Sequence, residues 1–209
     1  MRQFAVKQMN LPRKLAVVAS ALLFSSTSCF ASGGAYHYRL DLTARLVTTS
    51  EGELVGVQMS WLYDPNLSAT LMDGEDLSEA KRDATLKRRA ADILDGLKGV
   101  GYFTTLKIDG QALATAEVSE YKLALNKQSR LQLNLTLPLT SPAPVKGHVL
   151  EVIVSDASAV GLATFVDPTH LKLEEPLKSH CQTPQLQQSQ VGVIDGHSII
   201  TETMTVDCR

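Results

Sequence analysis

From Tyr36 onward the apolar residues fall on alternate positions. Tyr36, Tyr38, Leu40, Leu42, Ala44 and Leu46 share one face, and His37, Arg39, Asp41, Thr43 and Arg45 share the other. Side chains of an extended chain point to opposite sides in turn, so this alternation predicts a half-buried strand. The turn-rich stretch TTSEGE, Thr48 to Glu53, separates it from a second alternating run at Val55, Val57, Met59, Trp61 and Tyr63. The two runs predict a hairpin that opens the domain. In DPNLSATLM, Asp64 is a helix N-cap and Pro65 a first helical residue, giving a short helix that stops at Asp73-Gly74. A longer helix is expected from near Asp76 or Ser78, with Leu86, Ala90, Ile93, Leu94 and Leu97 as its apolar stripe and Gly99 and Gly101 at its end. The basic residues Lys81, Arg82, Lys87, Arg88 and Arg89 then form its solvated side.

Short strands follow. YFTTLKI precedes the turn Asp109-Gly110, and Val118 to Leu125 and LQLNLTL, Leu131 to Leu137, come next. VLEVIV, Val149 to Val154, is apolar on both sides and reads as a central strand. Beyond Asp167-Pro168 the composition turns polar, and a last hairpin forms around Asp195-Gly196. The pattern predicts an α+β, mainly β fold, an antiparallel sandwich-like domain with one short and one long helix inserted after the first hairpin. Residues 32–168 make up the main domain in this reading. Residues 169–209 are an extension attached to it.

The N-terminal pattern is of another kind. Arg2, Lys7, Arg13 and Lys14 precede the apolar core LAVVASALLF, Leu15 to Phe24, and CFAS follows. This is the three-part order of a secretory signal over residues 1–31, with cleavage after Ala31. Ten residues span about 15 Å as a helix, half of a bilayer's hydrocarbon thickness, so the mature chain is not expected to span a membrane. Cys29 lacks the Leu-like residue three positions earlier that lipidation calls for; Ser26 stands there. Without the leader, 16 basic residues face 22 acidic ones, a net charge of −6. That balance, with no basic stripe, argues against nucleic acid as a partner. Cys181 and Cys208 remain in an exported chain of about 178 residues. They read as a disulfide worth about 3 kcal/mol, the alternative being two thiolates on a metal.

Catalytic signatures are missing. There is no G-x-S-x-G and no Gly-rich loop opening a helix, and the two S-x-x-K spacings, Ser78/Lys81 and Ser119/Lys122, lack companion motifs. The expectation is a non-enzyme. The acidic cluster Asp73, Glu75, Asp76 and Glu79 lacks calcium-loop spacing and is read as negative charge at a helix N-terminus. His148, His170, His180 and His197 show no i, i+2 or i, i+4 pairing and are expected as surface or turn residues. His37 stands apart as a candidate metal ligand at the start of the mature chain. Asp41 is a second candidate on the same strand face, but the two would lie about 13 Å apart and cannot share an ion; Arg39 is the natural partner of Asp41. A metal at His37 needs donors from the new N-terminus or another strand; were binding independent of His37, the site would lie elsewhere, with His170, His180 and Asp167 the next residues to consider.

Together, YHYRLDLTARLV, LVGVQMSWLYD, GYFTTLKIDGQ, LQLNLTLPL and the C-terminal Cys pair resemble an uncharacterised family of exported bacterial proteins, domain of unknown function 1007, often labelled a periplasmic component of an ABC-type transport system. Its members typically open the mature chain with His-Pro-His and are encoded near nickel or cobalt permeases. The resemblance therefore implies a periplasmic accessory of divalent-metal or other envelope transport, with a weakly bound divalent ion as ligand and an inner-membrane metal permease or another envelope protein as partner. His37 matches the second family histidine and Asp41 the acidic residue, while Ala35 and Tyr36 replace the first His and the Pro. In DASAV, only Asp156 matches the family's Asp-Pro-Thr-Tyr-Tyr. About 178 residues of short strands do not supply the two α/β lobes of a conventional substrate-binding protein. The alternative reading is an envelope interaction protein with no small-molecule ligand.

Overall fold

The computed structural model describes residues 36–209. The predicted leader and the cleavage site at Ala31 lie outside them. Strands β1 (Tyr38–Thr48) and β2 (Glu53–Tyr63) form the expected antiparallel hairpin, with Leu42 opposite Trp61 and Leu46 opposite Val57. Along β1 the inward residues are Leu40, Leu42, Ala44 and Leu46, all buried. In β2 the alternation breaks once: Leu54 is buried and Val55 is not. The register between β2 and its other neighbour shifts between Leu54 and Gly56. A Cβ on Gly56 would stand 2.7 Å from the Leu137 carbonyl oxygen, so a glycine permits the close approach at this bulge.

Helix α1 (Pro65–Met72) starts as expected, the Asp64 carboxylate accepting from Leu67 N at 2.9 Å. Helix α2 spans Arg82–Lys98 and begins later than the sequence pattern indicates. Asp76 is the reason, because its carboxylate accepts from Ser78 N at 3.0 Å and holds the chain in a local turn that competes with helix. Leu86, Ala90 and Leu94 of α2 are buried as the stripe predicts.

Strands β3 (Thr104–Ile108), β4 (Gln111–Ala112), β5 (Glu120–Leu125), β6 (Leu131–Pro144), β7 (Val149–Ser155), β8 (Gly161–Thr164) and β9 (Leu171–Lys172) follow. A four-residue helix α3 (Leu177–His180) leads to β10 (Gln185–Ile194) and β11 (His197–Asp207). The first sheet has the order β5-β6-β2-β1-β8, with β9 also on β1, and the second β10-β11-β7-β3-β4. Pairing is antiparallel except where β8 and β9 lie parallel to β1. The architecture is thus mainly β, with two sheets and with α1 and α2 after the first hairpin, as the pattern predicts. Leu42, Met59, Leu133 and Leu135 of the first sheet join Leu106, Val152, Val154 and Met204 of the second in one core. Toward the Leu40–Tyr63 end of the first hairpin, residues of α1 and α2 pack into that core as well.

The C-terminal segment is no appendage. β11 pairs with β7 from Thr201 to Asp207 and buries Met204 and Val206 in the common core, so residues after 168 supply an inner strand of the second sheet. The Sγ atoms of Cys181 and Cys208 are bonded, closing a sequence separation of 27 residues between α3 and the end of β11.

Candidate functional site

β1 begins beside the start of β11 in the second sheet. His37 N–H donates to Val160 O at 2.9 Å, and the Tyr36 hydroxyl donates to Ser198 O at 2.9 Å, which ties the start of β1 to the start of β11. This brings His37 to His197, with ring centroids 5.7 Å apart and planes tilted by 49°. Two imidazoles on one tetrahedral ion, each nitrogen about 2.0–2.1 Å from the metal, place their centroids about 5 Å apart. The His37 and His197 rings stand at a spacing of that order. Among the described residues no group of three or more His, Cys, Asp or Glu side chains is clustered to hold a metal. Two histidines fall short of the four ligands of a closed structural site.

Asp41 is engaged elsewhere. It accepts from Arg39 Nε at 2.7 Å, the pairing anticipated from the sequence, and from Arg130 at 3.5 Å. His170 Nδ1 lies 2.9 Å from Leu42 O, with Asp167 3.7 Å from its other nitrogen, and His180 is exposed on α3. His148 pairs with Asp109 at 2.6 Å, and this contact chiefly holds the Asp109 carboxyl below its ordinary pKa. The acidic cluster does not sit at a helix start as bare negative charge. Glu75 pairs with Arg88 and Arg89, and Asp76 pairs with Lys81 at 3.1 Å, so the cluster fastens the loop before α2 to the basic side of that helix.

Asp156 organises the loop behind the corner. It is 3% exposed and accepts from Ser158 N at 2.9 Å, Ser158 Oγ at 2.5 Å, Tyr38 Oη at 2.7 Å and Gly161 N at 2.9 Å. Burial acts to raise its pKa, but the donors from Ser158, Tyr38 and Gly161 outweigh it and hold the carboxyl below the usual aspartate value. The Tyr38 phenol is pushed well up, first by burial and then by Asp156. A Cβ on Gly161 would fall 2.0 Å from the Tyr38 ring, so the ring lies directly on that glycine.

Tyr38 also borders a cavity of about 340 Å³ between α1, α2 and the first hairpin. Leu40, Trp61, Leu67, Ile93, Leu97 and Phe103 supply most of its apolar wall, and Arg89 and Asp92 are its charged members. Sequence reading marks Trp61 only as an inward strand residue and has no signal for the cavity. It also misses His197 as the neighbour of His37, because 160 residues separate them and nothing local links the two strand starts.

Fold and site define a two-sheet, disulfide-linked β protein with a histidine corner at the head of its first strand and an apolar cleft under α1 and α2. Residues 23–192 match the family described as "protein of unknown function (DUF1007)", and the chain belongs to that family. No curated protein matches the chain. Among the described residues no helix is long and apolar enough to cross a membrane.

Proposed function

We propose that this chain is an exported, periplasmic, non-enzymatic accessory protein that serves divalent-metal transport in the cell envelope, with an inner-membrane permease of the nickel or cobalt type as its partner. The observation that carries the reading is the approach of His37 to His197. Two imidazoles favour borderline ions such as nickel, cobalt and zinc over calcium or magnesium. With two protein donors the ion is held loosely enough to be passed on. The Cys181–Cys208 bridge is compatible with an oxidising compartment.

Calorimetry on the mature chain without a tag tests this. Nickel, cobalt or zinc is expected to bind no tighter than about 10 μM, roughly 7 kcal/mol. His37→Ala and His197→Ala should each abolish the binding, and Ala35→His should strengthen it by restoring the family's His-x-His spacing. Submicromolar binding that survives both alanine variants would refute the reading.

A second reading, an envelope interaction protein without a small ligand, draws support from β10. This edge strand of the second sheet carries no charged residue between Gln185 and Ile194 and exposes Val191, Val193 and Ile194. Uncharged edges are templates for added strands. Absence of metal binding, together with envelope-protein capture lost on Val193→Lys, would favour it.

A further inference from the structure

We propose that β5 and α2 form a docking groove for an extended peptide of a partner protein, which adds to the first sheet as a further strand and carries the pattern apolar–acidic–apolar. β5 is the outer strand of that sheet and pairs only with β6, so one side of its backbone is left open. Such an edge accepts an extended peptide through main-chain hydrogen bonds, and pockets beside the edge choose among its side chains. α2 packs against β5, and a groove of about 410 Å³ lies between them. Its floor is Leu86 and Ala90 of the helix and Leu123 of the strand, all buried, while Asp83, Lys87 and Lys122 are exposed at its border.

Strand geometry fixes the pattern. Tyr121 and Leu123 face the core and border the groove, and Lys122 between them is exposed. In an added strand the residue opposite Lys122 therefore has neighbours opposite Tyr121 and Leu123, and their side chains enter the groove. A dry cavity of about 150 Å³ accepts benzene, so about 410 Å³ holds two apolar side chains of that order. Charge sets the residue between them. Lys81, Arg88, Arg89 and Lys98 are each paired with a carboxylate, whereas Lys87 and Lys122 form no ion pair among the described residues. An acidic side chain opposite Lys122 gains such a pair, while one opposite Glu120, two residues earlier on the same strand face, meets like charge, so a single acid holds the register. A second copy of the chain offering the same edge is a poor occupant: its own Tyr121 and Leu123 are packed against its core and leave no free apolar side chain for the groove. The groove is independent of the histidine corner and of the metal reading.

The probe is the peptide fluorescein-Ser-Thr-Val-Glu-Val-Thr-Ser-amide, with its Val-Lys-Val counterpart as control, titrated with the mature protein and followed by anisotropy. The Glu peptide should bind about three- to tenfold more tightly than the Lys peptide, the range given by exchanging an opposite-charge cross-strand pair for a like-charge one. Lys122→Glu, an exposed substitution that leaves the floor untouched, should invert that preference. Saturating Glu peptide should also slow amide hydrogen exchange within Glu120–Leu125, as the N–H groups on the open side of β5 become bonded. An anisotropy unchanged at about 1 mM protein, equal affinities for the two peptides, or a preference that Lys122→Glu leaves in place would each overturn the proposal. So would a dimer in sedimentation that Lys122→Glu disperses, because a second copy would then fill the edge.

Discussion

Asp156→Asn is the sharpest perturbation of the frame behind both sites. The substitution keeps shape and volume but replaces one carboxylate oxygen by an amide nitrogen. Oδ1 serves Ser158 and Oδ2 serves Tyr38 and Gly161, so either orientation of the amide sets N–H groups against donors. The Tyr38 hydroxyl can turn and accept, but a backbone N–H at Gly161 or Ser158 cannot. A hydrogen bond to a charged group contributes about 1.5–3 kcal/mol net, and a buried donor left unmet costs about 1–3 kcal/mol. These overlap, and a loss of about 3 kcal/mol is expected. With a urea dependence of about 2–3 kcal/mol per molar for a chain of this size, the midpoint should fall by about 1 M. The pH dependence gives an independent check. Because the folded pKa of Asp156 is depressed, its contribution is complete above the unfolded value of about 3.9 and is lost as pH falls through the folded one. The gap between wild type and Asp156→Asn should therefore be equal at pH 7 and pH 5 and shrink below about pH 4. A gap under 0.5 kcal/mol at pH 7, or one that acid leaves unchanged, would refute the reasoning.

Gly161→Ala puts a methyl group where the Tyr38 ring lies, and the displaced ring should lower stability by about 1–3 kcal/mol in urea or thermal melts, with Gly99→Ala, which meets nothing, as the neutral comparison. Cys208→Ala opens a loop with a sequence separation of 27 and should cost about 3–4 kcal/mol, read as a reducing-agent-insensitive drop in midpoint; in protein recovered from the envelope, thiol labelling under denaturing conditions should find neither Cys181 nor Cys208 free. Intact mass of that material should correspond to a chain beginning at Ser32, and a retained leader or a lipid on Cys29 would contradict the signal reading.

How far the sequence carries depends on whether a residue's place is set by near or distant neighbours. β1 is legible because every second residue from Leu40 to Leu46 must be apolar to face the core. β2 is legible from Val57 onward, beyond a bulge that answers to the Leu137 carbonyl some eighty positions away. β11 reads poorly for a chemical reason. Its inward face includes Glu202, 3% exposed, a residue that breaks any apolar pattern. The carboxylate is tolerated there because it accepts from Thr164 Oγ1 at 2.7 Å, Phe165 N at 2.6 Å and Gln188 Nε2 at 3.2 Å. That network links three separate parts of the chain, so the polar run before it looks detachable when it is not. The histidine corner is illegible for the same reason: each His is ordinary in its own strand, and only the meeting of two sheet ends makes a pair.

Asp156 then has a consequence that joins the two sites. The loop it organises, residues 156–161, presents the Val160 carbonyl that receives the His37 N–H and the Gly161 surface on which the Tyr38 ring rests. His37 faces the corner, and Tyr38 borders the cleft. One carboxylate thus positions neighbouring residues that serve different sites. Asp156→Asn, measured at a temperature where it remains folded, should weaken metal binding. His197→Ala should weaken metal binding too, and Gly96→Leu on α2, at the cleft and not in the ring pair, should leave it unchanged. Calorimetry of the three variants with nickel allows one pattern. If Asp156→Asn leaves the affinity at its wild-type value, the loop does not position the corner.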